Sequence, residues 1–170
     1  MKEVDKNVTL THMDITNEWT KKNKNGIVVE RQSYIVGGVE YRVDGKHVKL
    51  KPSEKERAVA TILSEKYGKK VEFVPQVVHP QFIQTPDYII DSERYDLKSP
   101  EGNGKNLFYN MVSSKRKQAP NFIFDVTNCL LPDGEIERQI KNLYFSKHTL
   151  FIEKIVILRS GKVWKVYSRK

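Results

Sequence analysis

Cysteine is almost missing from this chain. Cys129 stands alone, which excludes an intrachain disulfide and a thiolate zinc cluster. Placed after the β-rich run from Asn121 to Val126 and before Leu130, it reads as a small, partly buried hydrophobe. The four histidines, at 12, 47, 79 and 148, are scattered without metal-ligand spacing. That pattern argues against a zinc enzyme, a Cys protease and a Ser/His hydrolase. No apolar run approaches the ~18 residues of a membrane span, and Met1-Lys2-Glu3-Val4-Asp5 lacks the order of a signal peptide. The expectation is a soluble protein. Acids are in short supply: 21 Asp+Glu against 30 Lys+Arg leave a net charge of +9 and a pI near 9.5. A surplus of that sign suits a polyanionic partner, nucleic acid or an anionic membrane surface. The 170 residues make room for one domain and a tail.

Residues 1–26 are polar and read as a linker or loosely docked arm with a short helix around Ile15 to Trp19; residues 27–170 read as the folded domain. Val28–Arg31 and Ser33–Val36 look like short strands. Val39–Val43 and His47–Leu50 alternate on either side of Asp44-Gly45, a hairpin signal. Pro52-Ser53 opens a helix, with Ser53 and Glu56 in capping-box spacing, an apolar stripe through Val59, Ala60, Ile62, Leu63 and Tyr67, and Gly68 as its stop. Strand-like runs follow at Val71–Val77, Tyr88–Ile90 and Arg94–Lys98. A helix from near Gly104-Lys105 then runs up to Pro120, before a strand at Asn121–Val126. Gly134–Phe145 fits a further helix, and Ile152–Leu158 and Lys162–Tyr167 close the chain as strands joined at Ser160-Gly161. Interleaving of this kind predicts an α/β or α+β fold, a mixed sheet flanked by helices.

The stretch that carries chemistry is Thr85-Pro86-Asp87-Tyr88 and, across a tight turn at Asp91 to Glu93, Tyr95-Asp96-Leu97-Lys98. With Asp91-Ser92 as the loop, Asp87 faces Asp96; with Ser92-Glu93, it faces Lys98. Either register gathers Asp87, Asp96 and Lys98 on one side of the hairpin and turns Tyr88, Tyr95 and Leu97 to the other. Two carboxylates that close repel unless a cation lies between them, and hard oxygen donors suit Mg²⁺ or Mn²⁺. Such an ion can hold a phosphate, acidify a bound water and stabilise a leaving oxygen, with a nearby Lys adding positive charge.

Other residues are placed by the same patterns. Glu56 lies on the inward stripe of its helix, open either to a third ligand role or to its capping box alone. Lys115 continues the apolar face Leu107/Phe108, Met111/Val112 and Ala119, where the carboxylate pair would neutralise it; the alternative is a snorkelling lysine. Gln118 is a candidate to face the site. The loop 99–106, with Gly102, Gly104 and Lys105, offers either phosphate contact or a plain strand-to-helix connection. Lys115-Arg116-Lys117 forms a basic cluster beside the site. A second basic run spans 154–170, where Trp164 and Tyr167 either stack bases or pack the core.

Pro86-Asp87 with Asp96-Leu97-Lys98, in this order of elements, resembles the PD-(D/E)xK nuclease superfamily, and implies a restriction-endonuclease-like core. Five blocks add a narrower likeness: Thr85-Pro86-Asp87-Tyr88, Tyr95-Asp96-Leu97-Lys98, Gly102-Asn103-Gly104-Lys105, Lys117-Gln118-Ala119 and Asn121-Phe122-Ile123-Phe124-Asp125. From about Val71 to Lys170 the chain resembles the C-terminal nuclease-toxin domains of CdiA-type contact-dependent inhibition proteins, domains also appended to phage minor head proteins and other polymorphic toxins. The resemblance implies a tRNA-cleaving ribonuclease that acts in the cytoplasm of a target cell. It further implies delivery within a larger secreted or phage protein, and a cognate immunity protein that blocks the toxin. It maps the metal-binding acids onto Asp87 and Asp96 with Glu56 as a third, the catalytic lysine onto Lys98, Lys115 or both, and nucleic-acid contact onto Lys105, Lys115, Arg116, Lys117 and Gln118. Two other readings of the same residues stand beside it: a DNA endonuclease of the same superfamily, and a non-catalytic nucleic-acid or capsid-associated binding module.

Overall fold

The computed structural model describes residues 11–22 and 24–169. In chain order the elements are β1 (His12–Asp14), α1 (Thr16–Trp19), β2 (Ile27–Glu30), β3 (Ser33–Val36), β4 (Val39–Arg42), β5 (Val48–Lys49), α2 (Glu54–Tyr67), β6 (Lys70–Phe73) and β7 (Gln76–Val77). Then come β8 (Tyr88–Ile90), β9 (Glu93–Lys98), α3 (Leu107–Val112), β10 (Asn121–Asp125), α4 (Asp133–Leu143), β11 (Lys154–Arg159) and β12 (Lys162–Arg169). Eight strands form one mixed sheet in the order β1-β12-β11-β10-β9-β8-β6-β2, and β10 runs parallel to both neighbours. This is the mixed α+β architecture expected from the alternation of elements.

The central strands are apolar on both faces because helices cover both. Ile123, Val156 and Leu158 pack with Val59, Ala60 and Leu63 of α2. Phe122, Phe124, Ile155 and Ile157 turn the other way, onto Phe108 and Val112 of α3 and Ile136 and Ile140 of α4. Each such side chain, withdrawn from water, contributes roughly 1.5–3 kcal/mol. Tyr167 belongs to this second core, so packing is its role; Cys129 also packs at the edge of that core.

Helix α2 starts and stops as its sequence dictates. Ser53 Oγ accepts from the Glu56 amide at 3.2 Å, the Glu56 carboxylate accepts from the Ser53 amide at 3.0 Å, and Gly68 ends the helix with a left-handed φ of 64°. Gly26 lies against that end. A Cβ there would sit 2.4 Å from the Ser64 carbonyl oxygen and 2.6 Å from Gly68 Cα, and both are backbone atoms that cannot swing away.

Three connections differ from the sequence-based expectation. The hairpin forms at Gly37-Gly38, where φ values of 57° and 78° suit a two-residue turn, and pairs β3 with β4. At the expected Asp44-Gly45 turn, Asp44 Oδ1 accepts from the amides of Lys46 and His47. The chain then leaves β4, and β5 pairs with β7 instead. The run expected as one strand over 71–77 breaks in two at Val74-Pro75, where the Val74 amide donates to the Asp87 carbonyl at 3.1 Å. At the N-terminal end, β1 pairs with β12 and Trp19 is buried in the α2-side core, so residues 12–19 of the expected arm are docked; residues 1–10 and 23 of it lie outside the described residues.

Gly26→Ala is expected to destabilise the fold by about 1–3 kcal/mol, the scale of a forced overpacking. Gly134→Ala, a helical glycine with open space around it, is expected to be neutral or stabilising by up to about 1 kcal/mol. Urea unfolding monitored by circular dichroism measures both.

Candidate metal and phosphodiester site

The site is built by the β8–β9 hairpin. Asp91 and Ser92 take φ values of 48° and 74°, which makes them the two-residue turn. Ile90 then pairs with Glu93, Ile89 with Arg94 and Tyr88 with Tyr95. One step further the Asp87 amide donates to the Tyr95 carbonyl at 3.1 Å, so Asp87 meets Asp96. Of the two registers open to the sequence, the turn selects this one. Tyr88 and Tyr95 enter the α2-side core with Leu97 packed against them, which leaves Asp96 and Lys98 on the opposite face.

The two carboxyl groups share an environment. Asp96 is fully buried, Gln118 Nε2 donates to its Oδ1 at 2.6 Å, and the Lys98 ammonium forms an ion pair with Oδ2. That second oxygen is matched in charge but has no well-directed hydrogen bond. Asp87 Oδ2 accepts from the Leu97 amide at 2.7 Å, and its carboxyl group is hydrogen-bonded to that of Asp96. Burial first, then the Asp96 charge and the carboxyl contact, push the Asp87 pKa up to about 8 against the pull of the Leu97 amide; Glu56 adds a further push. Between two carboxyl groups, such a hydrogen bond needs a shared proton, and a cation can take that proton's place.

A cleft of about 230 Å³ opens on this pair, lined by Asp87, Gln118, Glu56, Thr85 and two residues the sequence analysis passed over, Lys49 and Lys51. Their signal was present as Lys-x-Lys spacing at a strand end, which puts both on one face. Glu56 reaches the cleft while serving its capping box. Among the described residues no group of three or more His, Cys, Asp or Glu side chains converges, so Glu56 does not join the pair as the expected third ligand, and Asp87 and Asp96 are the carboxylates that would hold an ion. Hard donors on rigid paired strands fit Mg²⁺ or Mn²⁺.

The remaining candidates are placed elsewhere. Helix α3 ends at Val112 and gives way to tighter turns, in which the Lys115 amide donates to the Val112 carbonyl and the Gln118 amide to the Lys115 carbonyl. The helix expected to run to Pro120 is therefore half that length. Lys115 sits on a turn rather than on a helical face, and among the described residues it forms no ion pair with either aspartate; the same turns bring Gln118 onto Asp96. Arg116 borders a hollow with Lys147 and Phe151, Lys105 borders another with Arg138, and Lys117 is exposed. The loop 99–106 is pinned in place: the Leu130 amide donates to Gly102 O, and Gln139 Nε2 donates to Gly104 O.

An Asp87 carboxyl that keeps its proton to about pH 8 when folded, but releases it near 3.8 when unfolded, makes the folded chain the better proton binder between these values. Its contribution is full below about pH 4 and lost as pH rises through about 8. Asp87→Asn, neutral throughout, is expected to flatten this fall in stability, as read from urea midpoints across the same pH window.

The comparisons bear on this same hairpin. A solved complex of a CdiA-CT toxin with the CdiI immunity protein, from Burkholderia pseudomallei, contains a chain with this fold: TM-score 0.52 at 19% identity, over 81% of this chain and 97% of that one. No curated protein matches the chain significantly. The family model for the contact-dependent growth inhibition CdiA C-terminal domain matches residues 84–163, a span that begins just before Asp87 and takes in Asp96, Lys98 and Gln118. Over these residues the chain is similar to CdiA C-terminal domains.

Proposed function

We propose that the chain is a metal-dependent nuclease domain of the PD-(D/E)xK type, a toxin module that cleaves tRNA. The observation that carries this reading is the Asp87–Asp96 pair, with Asp87 lining a cleft, Asp96 fully buried behind it and the Lys98 ammonium on Asp96. Asp87 and Asp96 would hold Mg²⁺ or Mn²⁺, which supplies charge neutralisation at the phosphate and a more acidic bound water. Lys98 stabilises charge that builds on the phosphate oxygens, from a position that costs no reorganisation during the reaction. Gln118 holds the Asp96 carboxylate in orientation, and the Leu97 amide does the same for Asp87. Lys115, on the turn that delivers Gln118, remains a second candidate for the catalytic lysine, and Arg116, Lys117 and Lys105 for contact with the substrate backbone.

The match of residues 84–163 to the CdiA C-terminal domain model supports a toxin role, and the neighbouring toxin–immunity complex supports a cognate immunity protein for this chain as well. No helix among the described residues is long and apolar enough to cross a membrane. A tRNA substrate places the site of action in the cytoplasm of the target cell.

Incubation with total tRNA and with plasmid DNA, each with Mg²⁺, with Mn²⁺ and with excess EDTA, tests the reading. Cleavage of tRNA alone, lost in EDTA, is expected; plasmid cleavage would reassign the substrate to DNA, where contacts to the 2′-hydroxyl no longer discriminate. Asp96→Asn or Asp87→Asn is expected to lower the rate by ~10²–10³-fold, the scale for loss of one preorganised electrostatic group, with the circular dichroism spectrum unchanged. Salt-sensitive binding without cleavage, or wild-type cleavage by Asp96→Asn in EDTA, would overturn the assignment.

A further inference from the structure

Two lysines face the aspartate cleft without an acidic partner among the described residues. Val48 is buried under β3 and β4, and strand alternation therefore turns its neighbour Lys49 outward, opposite Gln76 of β7. Lys51, two residues on, shares that side, and both line the cleft that holds Asp87 and Gln118. Several other lysines are matched: Lys55 with Asp125, Lys69 with Asp91, Lys154 with Glu93, Lys165 with Glu137. Lys49 and Lys51 take part in no ion pair among the described residues; they meet each other, and the Lys51 ammonium lowers the pKa of Lys49 by side-chain contact and by charge. Two ammonium groups held together beside a carboxylate-lined cleft form a site for an anion with several oxygens, which relieves their repulsion by accepting from both.

We infer that Lys49 and Lys51 form a phosphate subsite that holds a backbone phosphate of a polynucleotide next to the one positioned at Asp87 and Asp96. The inference rests on the nuclease reading for its orientation but not for its existence, since the lysine pair and the cleft are present whatever the chemistry. Thr85, on the same wall, supplies a hydroxyl donor to that phosphate. The pair binds and positions; it does not touch the reacting atoms. Its loss therefore raises KM and leaves kcat within a small factor.

The test is binding of a short fluorescein-labelled single-stranded RNA, read by anisotropy across a salt series in EDTA, where no metal-dependent cleavage proceeds. Each phosphate neutralised on a single strand contributes about 0.7 to the slope of log K against log salt. Lys49→Ala with Lys51→Ala, which removes the one phosphate contact, is expected to lower that slope by about 0.7, and the Lys→Arg pair to retain it. Lys46→Ala with Lys162→Ala, exposed and away from the cleft, is expected to leave it unchanged. An unchanged slope in the Lys49/Lys51 double variant, or absence of RNA binding by the wild type, overturns the subsite. Displacement of the RNA by inorganic phosphate at matched ionic strength overturns the polynucleotide assignment in favour of a free-phosphate site. Lysine-dependent binding without cleavage under any metal condition retains the subsite and sinks the nuclease reading, so the two failures are distinguishable.

Discussion

Two aspartate side chains brought together in a buried setting create an electrostatic debt that the rest of the site is arranged to meet. Asp96 is fully enclosed, and an isolated charge there would be costly. The Lys98 ammonium, the Gln118 amide and the Leu97 backbone amide all point donors or positive charge at the pair. Even so, Asp87 retains its proton well above the ordinary carboxylate range. On the proposed reading, a cation between the two would supply the charge they need to ionise fully.

Fold and site meet in the central strands. Parallel pairing of β10 with β9 and β11 demands helices on both faces, so the middle of the sheet is dry. Dryness strengthens each interaction between charged groups in it and makes any unpaired one expensive. The carboxylates lie at the border of that dry region: Asp96 neighbours Phe122 in the sheet register, while Asp87 opens to the cleft. Removing a partner such as Lys98 would leave Asp96 buried and uncompensated, and on general grounds costs about 3–5 kcal/mol. Stability and the proposed chemistry therefore draw on the same contacts.

Much of this was legible in local patterns. The capping box and glycine stop located α2, the apolar runs located β10 and β11, and two-residue periodicity put Asp87, Asp96 and Lys98 on one face whichever turn formed. Where reading failed, the local signals were present in duplicate or were overridden. Gly37-Gly38 and Asp44-Gly45 are both turn sequences, and only one is a hairpin, because the chain after Asp44 finds a better partner in β7. The run from Leu107 to Ala119 carries apolar residues at helical spacing, yet the turns after Val112 divert it and place Gln118, rather than Lys115, against Asp96.

Sequence alone determined the face that carries the acids, since side-chain alternation along a strand is a property of the backbone and needs no other part of the molecule. It also determined the excess of positive charge and the near absence of thiols. Tertiary structure decided which register the hairpin took, how deeply Asp96 was enclosed and which distant residues came to the cleft. Lys49 and Lys51 are separated from Asp87 by more than thirty residues of chain and reach it only because β5 crosses to pair with β7. Proximity of that kind depends on the packing of whole elements, whose free energy is shared among many residues and is written in no single stretch of them.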